Sequence, residues 1–217
     1  MNATRIIQFG SVISLILASL SGCTLNSVAA RQSEATGLWD ELVGGETFGQ
    51  SFVCTRDNLY RIDLGTATYA RVNSAPVVFR LQSSAEVSTD IVSITLPGPE
   101  IQNECPTSFV FPPLRDSRGK TFYFYVESPE AAPGDAITVY ANAHDQYPDG
   151  AAYRNGQVVA GDLAFTAYSR ETFTFSGLVH DFLSRAAQDA LFFAFYGILI
   201  FGACAAIVGS LRRHWQG

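Results

Sequence analysis

The most constraining feature of this chain is an uncharged segment of 22 residues near its C-terminus, residues 190–211. Asp189 precedes the segment, and Arg212 and Arg213 follow it. At 1.5 Å per residue, a helix of this length spans a hydrocarbon core of about 30 Å. The segment therefore predicts one transmembrane helix, with the tail 212–217 in the cytoplasm by the positive-inside rule. The alternative is a buried helix of a soluble core, which rarely contains such a run.

A second apolar run lies at the N-terminus, where Arg5 precedes about 15 apolar or small residues. This run is short for a membrane span and has the form of an export signal. It ends in Leu20-Ser21-Gly22-Cys23, which resembles the lipobox of bacterial lipoprotein signal peptides. The resemblance implies a signal peptide over residues 1–22 and a diacylglyceryl group on Cys23. An uncleaved signal anchor with an incidental cysteine is the alternative.

The composition agrees with a membrane-attached protein. Hydrophobic residues make up 47% of the chain and charged residues 16%, against about 25% charged in typical soluble domains. The net charge of −6 and a single lysine, Lys120, argue against a nucleic-acid-binding surface. A chain of 217 residues is too short for a transporter with many spans and has room for one folded domain, or two at most.

Short runs of alternating apolar residues, separated by Gly, Pro, Asn and Asp, recur between residues 46 and 170. The predicted strands are 47–54, 59–72, 76–82, 90–96, 108–111, 120–127, 136–141, 151–154 and 163–169. Asn155-Gly156 between apolar flanks predicts a type I′ hairpin turn. Many short strands without an amphipathic helix predict an antiparallel, jelly-roll-like β-sandwich, with a barrel as the less favoured fold.

The remaining segments are predicted to connect this sandwich to the membrane. Residues 23–45 are small and polar without sustained periodicity, which predicts a tether. The extracytoplasmic sandwich then occupies residues 46–170. Residues 171–189 are predicted to form a partly helical juxtamembrane neck, because Leu178, Phe182 and Leu183 fall on one helical face.

The four cysteines are distinguished by their positions. Cys23 is the lipidation candidate, and Cys204 lies within the predicted transmembrane helix. Cys54 and Cys105 lie in the exported domain, where disulfides persist, and are predicted to pair. Their bond would close a loop of about 50 residues and contribute about 4 kcal/mol. Metal ligation is the alternative, although no CxxC or His-rich partner accompanies either thiol.

No motif in the sequence predicts an enzyme or a cofactor. The three histidines, His144, His180 and His214, fall in the domain, the neck and the cytoplasmic tail, so they cannot share one site. The sequence contains no GxSxG elbow, HExxH helix or Gly-rich phosphate loop. We therefore expect a non-catalytic protein.

The most distinctive stretch covers residues 145–156 and continues at residues 161–165. It resembles a segment of exported jelly-roll domains in bacterial envelope proteins, some of which are fused to multi-span glycosyltransferase-like proteins. Residues 116–120 agree more loosely. The resemblance implies a carbohydrate-binding-like sandwich, and it makes Tyr147 and Tyr153 candidates for a ligand or partner surface. Turn chemistry alone also explains the Gly, Asn and Asp residues of this stretch.

Three carboxylates of the same stretch, Asp145, Asp149 and Asp162, suggest a structural calcium site together with backbone carbonyls. Carboxylate and carbonyl oxygens are the hard ligands that Ca²⁺ takes in proteins. The alternative is that these side chains only cap turns.

The strand Thr121 to Val126 carries two more candidates, because strand alternation places Tyr123 and Tyr125 on one face and Phe122 and Phe124 on the other. The phenylalanine face is predicted to be core. The tyrosines are predicted either to stack on sugar rings or a partner protein, or to pack beneath a loop.

The predicted transmembrane helix carries small residues at every fourth position, Gly202, Ala206 and Ser210. Such a ridge allows a second helix to approach closely. The alternative is that Gly and Ala are simply frequent in membrane helices.

These features together predict a non-catalytic accessory subunit in the bacterial cytoplasmic membrane, with its sandwich on the periplasmic side. Its expected partners are a larger integral membrane complex and the lipid bilayer. The alternative function is a membrane-tethered carbohydrate-binding module, for which the partner would be a glycan.

Overall fold

The computed structural model describes residues 24–172, 183–184, 194–195 and 197–202. Leu25–Glu171 forms a compact unit of its own. A short 3₁₀ turn covers Gly98–Glu100. The strands of the described residues are β1 (Thr24–Gln32), β2 (Gly37–Leu38), β3 (Thr47–Val53), β4 (Leu59–Ala67), β5 (Val77–Gln82), β6 (Val92–Leu96), β7 (Pro106–Leu114), β8 (Thr121–Glu127), β9 (Thr138–Asn142), β10 (Ala152–Arg154), β11 (Gln157–Val159), β12 (Asp162–Leu163) and β13 (Phe165–Thr172).

The strands form two sheets. One has seven strands in the order β1-β13-β4-β9-β12, with β2 also paired to β9 and β7 also paired to β4. The other has six strands in the order β11-β10-β3-β8-β5-β6. Neighbouring strands such as β3 and β8, or β4 and β7, run antiparallel. The prediction of a mainly β, antiparallel fold is confirmed.

Phenylalanine side chains join the two sheets. Phe79 of β5 stacks on Phe109 of β7 at 4.3 Å between ring centroids. Phe165 of β13 contacts Phe52 at 5.6 Å and Phe124 at 5.5 Å. All five side chains are at most 2% exposed. Burying one such aromatic side chain contributes about 1.5–3 kcal/mol, so this layer holds the sheets face to face as a β-sandwich.

Each predicted strand overlaps an observed one, and the predicted hairpin is confirmed. Asn155 and Gly156 have φ angles of 54° and 73°, as a type I′ turn requires. Arg154 and Gln157 pair across the turn. The strand predicted over residues 59–72 is shorter than expected, because β4 ends at Ala67.

The tether predicted over residues 23–45 differs most from the structure. Thr24–Gln32 is strand β1 of the seven-stranded sheet, and β2 pairs with β9. The buried side chains of β1 include Ala29 and Ala30. Such small side chains give no large alternation in hydropathy, so the sequence pattern conceals this strand.

Strand β1 begins and β13 ends at the same end of the sandwich. Arg56 forms an ion pair with Glu171 near the end of β13, and its Nε donates to the carbonyl of Val28 at 3.1 Å. The amide of Thr55 donates to the carbonyl of Ala29 at 3.0 Å. We call this end, formed by residues 54–58, 115–120 and 170–171, the exit end.

Several predicted features fall outside the described residues. They are the signal peptide 1–22, Cys23, most of the neck 171–189, Cys204, Ala206, Ser210 and the tail 212–217. The predicted transmembrane segment 190–211 is described only at residues 194–195 and 197–202, which are helical. Across the described part of the chain, no helix has both the length and the hydropathy that a membrane crossing needs.

Candidate functional site

The outer face of the six-stranded sheet carries the predicted tyrosine face. In β8, Phe122, Phe124 and Val126 are buried in the core. The alternate residues Tyr123 and Tyr125 point away from it, as the two-residue period of a strand requires. The prediction for this strand is therefore confirmed for its phenylalanine face.

Tyr123, Tyr125 and Tyr153 form one cluster, which we call the tyrosine cluster. Tyr123 stacks on Tyr125 at 5.6 Å and meets Tyr153 of β10 edge-on at 4.9 Å. Tyr123 is only 4% exposed, whereas Tyr125 and Tyr153 are half-buried. The rings of this cluster that line an open groove are those of Tyr123 and Tyr125, and Tyr153 packs edge-on against Tyr123.

Gly49 of β3 makes this arrangement possible. A Cβ atom at residue 49 would lie 2.6 Å from the Tyr123 hydroxyl oxygen and 2.8 Å from the carbonyl oxygen of Phe124. The ring of Tyr123 therefore lies directly over the backbone of β3. A glycine inside a strand commonly marks such a close approach.

A groove of about 290 Å³ runs beside the cluster. Tyr123, Tyr125 and Gln82 contribute to its lining, together with the loop 85–88 and Gly156. The groove also contains Glu127, whose carboxylate accepts a hydrogen bond from the Arg80 Nε at 2.7 Å. Aromatic faces beside amide and carboxylate groups suit a ligand that presents both apolar faces and hydroxyl groups.

The side chains around the groove carry a net negative charge, because one guanidinium, that of Arg80, stands against the three carboxylates of Glu86, Asp90 and Glu127. Arg80 pairs with both Asp90 and Glu127, and hydrogen bonds to these carboxylates raise the pKa of its guanidinium group. Burial is the main cause of the raised pKa of Tyr123 and of Tyr125. Both phenols therefore remain neutral hydrogen-bond donors at any physiological pH.

Tyr147 does not join the tyrosine cluster. Its ring lies edge-on to Phe165 at 5.6 Å, among the core side chains. Its hydroxyl accepts from the amide of Val53 at 3.2 Å and lies 3.3 Å from the carbonyl of the same residue. Tyr147 was predicted to lie on a ligand or partner surface, whereas in the structure its ring packs at the edge of the core.

The three aspartates of the predicted calcium site are not equivalent. Asp145 and Asp149 are exposed, whereas Asp162 is 1% exposed. The carboxylate of Asp162 accepts hydrogen bonds from Gln50 Nε2 at 2.9 Å and from the amides of Gln146 and Tyr147 at 2.7 and 2.9 Å. The part of the chain that the structure describes gathers no group of three metal-ligating side chains. Asp162 acts as the acceptor that orders this loop.

The predicted disulfide is wrong, because Cys54 and Cys105 are both free. Cys54 is buried at the exit end, where its thiol donates to the carbonyl of Arg56 at 3.0 Å. Cys105 is exposed, and its carbonyl accepts from the hydroxyl of Thr66 near the far end of β4. The length of β4 therefore separates the two thiols by about 20 Å, whereas a disulfide requires Cα atoms within about 7 Å.

A second groove, of about 370 Å³, lies on the seven-stranded sheet and was not predicted. Its lining includes Asp63, Tyr140 and Tyr168. Arg61 pairs with Asp63 and lies 5.0 Å from the ring centroid of Tyr168. The alternating charges Arg61 and Asp63 within an otherwise apolar strand are the sequence signal that could have indicated this groove.

No protein-family model matches the chain, and no curated protein matches it at a significant level.

Proposed function

We propose that this chain is a non-catalytic accessory subunit of a larger bacterial membrane complex. In this proposal the sandwich, with jelly-roll-like connectivity, lies on the periplasmic side of the cytoplasmic membrane. Residues 190–211 cross the membrane, and Cys23 carries a lipid. The described residues support this arrangement at three places: the C-terminal helix, the exit end and Gly202.

The observation that carries the proposal is the exposure of the C-terminal helix. Ile198, Leu199, Ile200 and Phe201 are 73%, 53%, 57% and 78% exposed. Successive helical residues point about 100° apart, so these four cover the full circumference. A helix that is apolar on all sides is stable in lipid or within a protein core, and unfavourable in water. This pattern supports a helix whose natural surroundings are lipid and partner helices.

The exit end supports anchoring at one membrane surface. The N-terminal and C-terminal segments both leave the sandwich there, since Val28 and Glu171 are both bonded to Arg56. A lipid at Cys23 and a helix beginning near residue 190 would thus attach to the same end of the domain. The lipid at Cys23 and the membrane segment 190–211 could therefore both reach one bilayer from this end of the sandwich.

Gly202 supports contact with a partner helix. Among the residues that the structure describes, and leaving aside the helix's own backbone, a Cβ atom built on Gly202 meets no atom within 4 Å. The position is therefore open to a second helix, and Ala206 and Ser210 extend the same small ridge along the sequence.

Substitution of this ridge tests the proposal. Gly202→Leu and Ala206→Leu should each reduce co-purification of the partner by about 5- to 150-fold, because overpacking costs about 1–3 kcal/mol. Gly197→Leu is the matched control, since Gly197 also has open space around its Cβ but lies on another face of the helix. The measurement is the yield of co-purified partner in mild detergent at equal expression. Equal yields for the three variants and the unaltered protein would contradict a docking helix.

A second candidate function, glycan binding, is favoured by the tyrosine cluster and its groove. Aromatic faces next to hydrogen-bonding side chains are the arrangement with which a protein recognises sugar rings. In this function the helix is only an anchor, so the ridge substitutions would be silent.

Glycan binding predicts a separate set of sensitive residues. Tyr125→Ala should weaken binding by about 2- to 13-fold, because one aromatic contact is worth about 0.5–1.5 kcal/mol. Tyr153→Ala should weaken binding less, because Tyr153 lies outside the groove lining and acts through its contact with Tyr123. Tyr69→Ala is the control, since Tyr69 is 42% exposed and lies outside the cluster. The measurement is a glycan array followed by calorimetry on the glycans retained. An array without retained glycans, or equal affinities for all three variants, would remove this candidate.

A further inference from the structure

We infer that the exit end of the sandwich docks on anionic phospholipid headgroups. This inference rests on the proposed anchoring, because it concerns how an already tethered domain lies on its own membrane. It is carried by the charge distribution of the sandwich, by the ion pairs of its basic side chains and by the place where its chain ends emerge.

The charges of the sandwich are strongly segregated. Residues 25–171 contain ten basic and 18 acidic side chains. The exit end holds five of the basic ones and three of the acidic ones, a net charge of +2. The rest of the sandwich holds five basic and 15 acidic side chains, a net charge of −10. An anionic surface therefore attracts one end of this domain and repels the remainder.

Most basic side chains outside the exit end are neutralised locally. Four arginines elsewhere in the sandwich have carboxylate partners: Arg61, Arg71, Arg80 and Arg154. At the exit end only Arg56 has one, Glu171. Among the described residues, the basic side chains without a carboxylate partner are Arg31, Arg115, Arg118, Lys120 and Arg170, and all are exposed. Four of these five lie at the exit end.

The loop 115–120 holds three of the free cations in a fixed arrangement. The amide of Arg118 donates to the Asp57 carboxylate at 3.0 Å, and the amide of Gly119 donates to the carbonyl of Cys54 at 2.7 Å. Ser117 is 1% exposed and its hydroxyl accepts from the amide of Leu59 at 3.0 Å. Because the backbone is already ordered, contact with headgroups requires little further loss of entropy.

The kind of partner follows from the location of these cations at the exit end. They lie where both chain ends leave toward the proposed anchors, so the nearest extended surface is the bilayer that holds the chain. Each basic residue close to an anionic bilayer strengthens the contact by about fivefold. For a tethered domain this is sufficient to favour one orientation, with the exit end against the headgroups and the acidic remainder away from them.

The single lysine of the chain allows a test without any substitution. The full-length protein is placed in nanodiscs of phosphatidylcholine alone or of phosphatidylcholine mixed with phosphatidylglycerol. Acylation of Lys120 by a water-soluble ester is followed by mass spectrometry of its peptide. We expect acylation to be about fivefold slower in the anionic discs and to recover at high salt, which screens the contact. Alkylation of Cys105, exposed near the other end of β4, should be the same in both lipids.

Two variants make the test specific. Arg118→Gln should reduce the lipid dependence of Lys120 acylation, whereas Arg31→Gln, which removes an unpaired cation outside the exit end, should leave it intact. Equal acylation rates of Lys120 in the two lipids would overturn the inference. The anchoring is tested in a separate experiment, in which native membranes are washed with alkaline carbonate. Release of the protein into the wash would show that it is not anchored. A protein that resists carbonate yet shows no lipid dependence would retain the anchor and lose the docking.

Discussion

Replacing Asp162 by alanine is expected to lower the free energy of unfolding by about 3–5 kcal/mol. Asp162 is 1% exposed, and its carboxylate accepts from Gln50 Nε2, the Gln146 amide and the Tyr147 amide. Removing the carboxylate leaves three donors without their acceptor, and each buried unsatisfied group costs about 1–3 kcal/mol. The loss would be read from urea unfolding of the full-length protein in detergent micelles.

The two exposed aspartates of the same stretch provide the control. Asp145→Ala and Asp149→Ala should change the stability by less than about 0.5 kcal/mol, as exposed substitutions without special contacts usually do. A calcium site would behave differently, because all three substitutions and a chelator would then destabilise the protein together. Comparable losses for Asp145→Ala and Asp162→Ala would therefore contradict the role of Asp162 as a purely structural acceptor.

Strand alternation was sufficient to predict one face of β8. Phe122 and Phe124 are buried as expected, because a strand places successive side chains on opposite faces. The cluster that Tyr123 forms with Tyr153 could not be predicted in this way. Tyr153 reaches it only because β10 pairs with β3 and Gly49 leaves room for the intervening ring. Pairing between distant strands is set by the whole fold and leaves no local signal.

Position in the fold also explains the errors. The disulfide between Cys54 and Cys105 was predicted because both residues belong to the exported domain. Membership of the same domain does not show that two residues lie close together in space. The length of β4 separates them. Tyr147 became a surface candidate through the resemblance of its turn-rich stretch to exported jelly-roll domains, yet its ring packs on Phe165. A turn-rich stretch can thus lie across the edge of a core and contribute to it.

Gly161, in the turn-rich stretch that includes Tyr147, combines a left-handed backbone conformation with a close approach to a neighbouring strand. Gly161 has a φ of +88°, and a Cβ atom there would lie 2.0 Å from the carbonyl oxygen of Asn142. Asn142 of β9 pairs with Asp162 of β12. Any side chain at residue 161 therefore forces β12 away from β9, just where the Asp162 carboxylate must reach its three donors.

Gly161→Ala is accordingly expected to destabilise the sandwich by about 2–5 kcal/mol. A left-handed backbone costs a residue with a Cβ about 1–2 kcal/mol, and overpacking against the Asn142 carbonyl adds about 1–3 kcal/mol. Gly156→Ala is the matched control, because Gly156 also has a positive φ, of +73°, but a Cβ there meets nothing within 4 Å. This control should cost only the backbone term, about 1–2 kcal/mol.

The difference between the two alanine variants isolates the contact with β9. Thermal and urea unfolding of both proteins should place Gly161→Ala clearly below Gly156→Ala. The Gly161 variant should also show faster amide exchange at Gln146 and Tyr147, whose amides depend on the position of Asp162. Equal stability of the two variants would mean that β12 moves freely and that the Asp162 network tolerates its displacement. The turn stretch would then act only as a connection between strands and would have no part in fixing the edge of the core.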